Sequence, residues 1–318
     1  MPLIYCLMVL STICFQSDDA NTPLPAREFE LEYGATIQNV PEDAKVRVWF
    51  PIPKSNLPYQ IIKESSARLP APLTKSKDKK YENTIGYFET SGNSEVSFFT
   101  SYLVKREEAR PGMLAEKLDK AQKEKYLAAN RMVPISGEPT KLLENKKLDG
   151  PAMEIGQELY EIVEAYMSYD KSKPGYGNGD VLWACSSKTG NCTDFHSLFI
   201  SLARNKNIPA RFEIGFPLAK KSRGQIGGYH CWAWFYTESK GWIGVDISEA
   251  DKHPKLKEYY FGHLTPNRVA FSIGRDIELV PKSDSGPLNY FVYPHVEVDG
   301  KVWPKDNIKL ELSYQDIK

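Results

Sequence analysis

Three residues of this chain have the types and surroundings of a nucleophile, its base and the group that orients the base. Cys192 lies in Gly190-Asn191-Cys192-Thr193-Asp194-Phe195-His196, His230 in His230-Cys231-Trp232, and Asp246 closes Gly241-Trp242-Ile243-Gly244-Val245-Asp246. A thiol attacks carbonyls when it is held as a thiolate, and an imidazole fixed by a carboxylate can hold it so. The three residues stand 38 and 16 positions apart, so only the fold can assemble them.

Local pattern indicates how each is positioned. After Cys192, the residues Phe195, Leu198, Phe199 and Leu202 recur at helical spacing, and the run stops at Asn205-Lys206-Asn207-Ile208-Pro209. Cys192 is therefore expected in the first turn of an amphipathic helix. There unpaired N–H groups and the positive end of the dipole favour thiolate, and the same N–H groups can bind an oxyanion. Tyr229 to Tyr236 reads as a buried strand, Glu238-Ser239-Lys240-Gly241 as a turn, and Trp242 to Ile247 as a second strand. His230 and Asp246 then fall on paired antiparallel strands, within cross-strand reach.

The stretches GNCTDFHSLFISLARNKNIPARFEIGF, YHCWAWFY and GWIGVDISEA together resemble the core of the transglutaminase-like superfamily. That resemblance implies a papain-like triad of Cys192 as nucleophile, His230 as base and Asp246 as orienting acid. It covers about residues 151 to 250, with Ile247 standing where the family commonly has Pro. The resemblance also implies a second oxyanion donor upstream of the nucleophile, for which Trp183 is the candidate, set against ordinary packing of its indole. The expected fold class is α+β, a papain/transglutaminase-like core of helices packed on an antiparallel sheet behind an N-terminal antiparallel β-sandwich.

The rest of the chain fits around this core. The 318 residues carry 41 Lys plus Arg against 41 Asp plus Glu, which gives no reason to expect a nucleic-acid partner. Leu3 to Phe15 is an uncharged apolar run, too short to span a bilayer and suited to a signal segment, although no Lys or Arg precedes it. Residues 1–20 are read as a leader directing export to the periplasm or cell envelope of a bacterium. Cys14 is a possible lipid-anchor site, with Ile13 before it a poor match to that signal. Residues 21–108 alternate as strands, with turn signals at Pro41-Glu42-Asp43, Pro51-Ile52-Pro53 and Ser91-Gly92-Asn93, and form the sandwich. Residues 109–150 are an exposed helical connector, and 151–262 are the catalytic core. Residues 263–318 supply C-terminal strands that complete the sheet.

Within the core, a helix is expected from Pro151 with Ile155, Leu159, Ile162, Val163 and Tyr166 on one face. The glycine-rich run from Pro174 to Asp180 is a loop near the nucleophile and, lacking a preceding strand, no phosphate loop. Lys220 to Gly228 is basic and glycine-rich and suggests a mobile flap beside the cleft.

Competing uses of the same residues are definable. A Cys185–Cys192 disulfide would silence the nucleophile, whereas Cys185–Cys231 would leave it free. Cys192, His196, His230 and Cys231 contain zinc-ligand types, but consecutive residues of a regular strand point to opposite faces, which separates His230 from Cys231. His196, on the Cys192 face of the helix, rivals His230 as base but lacks an evident orienting carboxylate. No cofactor is therefore expected. The reading is thioester chemistry on protein or peptide amides, with hydrolysis favoured slightly over amine cross-linking. The alternative is a non-catalytic cell-envelope binding or scaffold protein that retains the core.

Overall fold

The computed structural model describes residues 23–55 and 57–317, so the leader and Cys14 lie outside the described residues. The strands are β1 (Arg27–Val40), β2 (Lys45–Pro51), β3 (Gln60–Arg68), β4 (Thr74–Lys77), β5 (Thr84–Ser91), β6 (Ser94–Arg106), β7 (Ser168–Tyr169), β8 (Thr189–Gly190), β9 (Ala210–Pro217), β10 (Arg223–Gln225), β11 (His230–Thr237), β12 (Gly241–Val245), β13 (Phe261–Gly262), β14 (Arg268–Ile273), β15 (His295–Val298), β16 (Lys301–Val302) and β17 (Ile308–Asp316). The α-helices are α1 (Lys120–Leu127), α2 (Ala152–Tyr166), α3 (Val181–Ser187), α4 (Cys192–Asn205), α5 (Ile247–Lys252) and α6 (Lys257–Tyr260). The class is α+β, with helices against antiparallel sheets.

Two sheets, ordered β10-β17-β1-β6-β3 and β16-β15-β2-β5-β4, form the sandwich. Period-two burial explains it. Along β1, Phe29, Leu31, Tyr33, Ala35 and Ile37 are buried while Glu28, Glu32 and Gln38 are exposed, and the inward set packs on Val46, Val48 and Phe50 of β2. The third sheet, β13-β12-β11-β9-β14, is the core sheet.

That sheet is buried on both faces, and β11 shows why. Cys231, Ala233 and Phe235 pack with the helices, where Phe235 meets Phe199 of α4 edge-on at 5.9 Å between centroids. Gly156 lets α2 approach, since a Cβ there would lie 2.4 Å from the Phe235 ring. Trp232, Trp234 and Tyr236 pack on the opposite face. Beneath them, buried Glu213 accepts from Trp232 Nε1 (2.5 Å), Trp234 Nε1 (2.8 Å) and Tyr59 Oη (3.0 Å). The Arg106 guanidinium stacks on Tyr59 at 4.3 Å and Arg211 on Trp242 at 4.4 Å, so buried cations flank the carboxylate.

Three expectations are revised. Of the C-terminal strands, β14 joins the core sheet beside β9, but β15 pairs with β2 and β17 with β1, returning the chain to the sandwich. Alternation marks a strand without naming its partner; here the buried face of Val296, Val298, Leu312 and Tyr314 matches the sandwich interior. The connector is only partly an exposed helix. Asp119 and Gln122 form a capping box on α1, while the segment before it docks on the core, Leu114 accepting from Trp242 N–H at 3.0 Å. The basic segment is no free flap, because β10 pairs with β17 and the Arg27 guanidinium donates to the Ala219 and Lys221 carbonyls at 2.9 and 2.6 Å.

Candidate active site

The nucleophile segment is built by caps. Asn191 caps α4, its Oδ1 accepting from Thr193 N–H at 2.8 Å, and Asp194 completes the capping box by accepting from Asn191 N–H at 2.9 Å. Asp194 is buried and also accepts from Gly177 N–H (2.8 Å) and Gly179 N–H (2.9 Å), which ties the glycine-rich loop to the helix start. Gly179 has φ of +59° and a Cβ would sit 2.5 Å from Ser197 Oγ, so both conformation and space require glycine. With the Thr193 and Asp194 amides bonded to Asn191, the Cys192 N–H remains as the first-turn donor available to an oxyanion.

His230 and Asp246 come from the ends of β11 and β12. Register pairs Ala233 with Val245, so Asp246, one residue past β12, lies diagonally across from His230 on the same face. His230 Nε2 and Asp246 Oδ2 are 2.7 Å apart. Nδ1 is thus the nitrogen left for Cys192, whose thiol pKa is lowered and whose partner imidazole is raised by their mutual proximity. Asp246 Oδ1 meanwhile caps α5, accepting from Glu249 N–H and Ser248 Oγ at 3.2 Å each. The acid is fixed by two elements at once.

The electrostatics favour a thiolate–imidazolium pair. Burial alone would push the Cys192 thiol up, but hydrogen bonds from Cys231 and His230, with the charges of His230 and His196, hold it well below its ordinary value. Burial acts to lower His230, yet the Asp246 charge and hydrogen bond and the Cys192 partner raise it to about 9. Asp246 is fully buried, which opposes its charge, and the His230 and Arg268 cations outweigh that and depress it strongly.

Arg268 is a residue that sequence reasoning missed. Its Nη1 lies 2.9 Å from Asp246 Oδ2, both side chains buried, and its guanidinium stacks on Trp232 at 4.8 Å. The Nη1 hydrogens are not directed at the carboxylate, so the contact is an ion pair rather than a directed hydrogen bond. An arginine in line with inward-facing Ala270 on a buried strand was the available signal. Arg275 was missed likewise. Its guanidinium joins α4 to the glycine-rich loop, donating to Ser197 Oγ (2.6 Å) and the Asn178 carbonyl (2.8 Å).

Other singled-out residues take definite places. His196 is fully buried and accepts from Ile247 N–H at Nε2 (3.0 Å); burial first of all brings its pKa down to about 4, so it stays neutral. That bond needs an N–H at 247, which a proline there would remove. Cys231 faces α4, its Sγ 3.7 Å from both Thr193 Oγ1 and His196 Nδ1, while His230, the neighbouring strand residue, bonds Asp246 on the other face. Strand alternation separates the two side chains, but the N-terminal turn of α4 lies at the strand end where both can meet it. Trp183, in α3, donates its Nε1 proton to the Pro174 carbonyl at 3.1 Å, so this donor is spent on the loop. Cys185, Cys192 and Cys231 are free thiols. Among the described residues no three His, Cys, Asp or Glu side chains are grouped to hold a metal ion.

Residues 141–247, which contain Cys192, His230 and Asp246, match the transglutaminase-like superfamily core. This part of the chain is similar to a transglutaminase-like domain. An uncharacterized protein of Haemophilus influenzae is 34% identical over 167 residues, covering 42% of this chain and 45% of that protein. The chain thus matches less than half the length of this curated relative. The solved structure of a candidate cysteine protease from Cytophaga hutchinsonii aligns over 92% of this chain and 99% of its own, at 16% identity and a TM-score of 0.59. The fold is therefore shared across the sandwich as well as the core. The periplasmic domain of TgpA from Pseudomonas aeruginosa aligns at 13% identity over 73% of this chain and 90% of its own, with a TM-score of 0.38. No helix among the described residues is long and apolar enough to cross a membrane.

Proposed function

We propose that the protein is a cysteine-dependent enzyme acting on protein or peptide amides through a thioester. Cys192 thiolate attacks the carbonyl and its own N–H helps hold the oxyanion. His230, kept protonated by Asp246, gives its proton to the departing amine. Water then forms a carboxylic acid, or a primary amine forms a new amide; hydrolysis is slightly favoured. The observation that carries the reading is the His230–Asp246 contact of 2.7 Å beside a thiol at the start of α4.

Export to the periplasm or cell envelope is part of the proposal, supported by the apolar run from Leu3 to Phe15. Mass spectrometry of the mature N-terminus tests it and reads any acylation at Cys14. The catalytic reading is tested by offering peptide amides with and without a fluorescent primary amine. New carboxyl termini or amine incorporation, absent in Cys192→Ala, supports it. Wild-type protein that does neither while Cys192 remains unreactive toward iodoacetamide would favour the binding-protein alternative.

A further inference from the structure

A cavity of about 550 Å³ opens between the core and the sandwich, lined on the core side by Asn178 of the glycine-rich loop and by Tyr229. Tyr229, Tyr290 and Tyr293 line it together with Leu288, Ile308 and Leu310. Tyr229 connects this wall to the site. Its Oη is 2.9 Å from Thr193 Oγ1 and 3.0 Å from Asn191 Nδ2, the residues on either side of Cys192, and the next residue in the chain is His230.

The chemistry of the wall follows from where its polar atoms go. Tyr293 Oη accepts from Tyr229 N–H at 3.0 Å, and Tyr290 Oη donates to the Gly177 carbonyl at 3.3 Å. Tyr229 packs against Tyr290 and Tyr293 with centroids 5.5 and 6.0 Å apart. The Tyr229 and Tyr290 hydroxyls are bonded within the protein and Tyr293 Oη already accepts one bond, leaving mainly ring surface and aliphatic side chains as the ligand-facing material. The lining includes Lys305 and no carboxylate, which opposes a basic occupant.

We propose that this cavity is the acyl-donor subsite, binding a bulky apolar or aromatic side chain of a peptide on the N-terminal side of the attacked amide. The proposal rests on the thioester reading above and adds to it the class of peptide preferred. The β17 wall gives the sandwich a part in the site, since Ile308 and Leu310 belong to a strand paired with β1. Specificity and nucleophile thus come from different layers of the fold.

The test is a series of peptide amides carrying Phe, Leu, Ala or Lys in the two positions before the cleaved bond, assayed with the full-length protein. Iodoacetamide alkylation of Cys192 is measured in parallel. Burial of one such side chain predicts kcat/KM roughly 10- to 100-fold higher for Phe and Leu than for Ala, with Lys lowest. Leu310→Glu should remove most of that preference and leave alkylation within about twofold of wild type. Lys305→Glu, an exposed change that leaves the fold alone, should narrow the gap between Phe and Lys peptides by about tenfold. Equal turnover of all four peptides, a preference untouched by both variants, or no turnover while Cys192 still alkylates would overturn the subsite. Loss of Cys192 reactivity in the wild type would instead overturn the catalytic reading.

Discussion

Replacing Asp246 by Asn tests the electrostatic role of the acid without changing its shape. Asn caps helices about as well as Asp, so the bond to Glu249 N–H and the start of α5 should persist. What disappears is the charge 2.7 Å from His230 Nε2. His230 stands at about 9 against an ordinary 6.5, although burial pushes the other way. That rise corresponds to roughly 3 kcal/mol of imidazolium stabilisation, at about 1.36 kcal/mol per pKa unit, to which Asp246 and Cys192 both contribute. Without the Asp246 share the ratio of thiolate–imidazolium to thiol–imidazole should fall about 10- to 100-fold, and burial becomes the dominant influence on Cys192. Alkylation by iodoacetamide across pH reads this without a substrate. The wild type should react at mildly acidic pH, where the pair is charged, and change rate near 9 as His230 loses its proton. Asp246→Asn should lose the acid-side reactivity and titrate as a thiol above about 8.5. Because Arg268 would be left facing a neutral side chain, Asp246→Asn/Arg268→Met serves as a stability control with no unpaired guanidinium. Acid-side alkylation in Asp246→Asn within a few-fold of wild type, with a normal melting curve, would refute the reasoning.

Further expectations follow from the neighbours of the triad. Arg268→Met removes one partner of a buried pair and should cost about 3–5 kcal/mol by chemical denaturation. It also frees the Asp246 charge to act on His230 alone, so the alkaline change in alkylation should move above about 9, opposite to Asp246→Asn. Cys231→Ala should raise the apparent pKa of Cys192, because the neighbouring Cys231 thiol helps to hold it down. Cys231→Ser, which keeps a donor, should restore most of it in the same titration. Gly179→Ala should destabilise the protein by about 1–3 kcal/mol, since Ser197 and Arg275 occupy the space of the new methyl. Its effect should extend to Cys192 alkylation through the Asp194 contact, as judged against the melting temperature.

The elements that carry Cys192, His230 and Asp246 were legible because each has a local signature. The period of Phe195, Leu198, Phe199 and Leu202 and the Asn191 cap define α4, and the strand-turn-strand pattern places His230 and Asp246 on one face. Arg268 and Arg275 were not legible as parts of the site. Their partners, Asp246 and Ser197, lie far away in sequence and are met only through sheet register and the return of the chain beneath α4. The same limit explains the C-terminal strands, whose alternation is evident but whose pairing with β1 and β2 is decided by two well-separated halves of the sandwich. Trp183 illustrates the converse difficulty. Its type suits an oxyanion donor, but the Pro174 carbonyl sits closer at hand. Tyr229, read only as part of a strand, joins that strand to both neighbours of Cys192.

The central claim is that Cys192 becomes acylated by an amide. Acid-quenched mass spectrometry of full-length protein mixed with an apolar peptide amide, followed by peptide mapping, reads this directly. The account predicts a hydroxylamine-labile adduct of the acyl mass on Cys192, absent in Cys192→Ala and strongly diminished in His230→Ala. An adduct on Cys185 or Cys231 instead, or turnover of the peptide by Cys192→Ala, would contradict it.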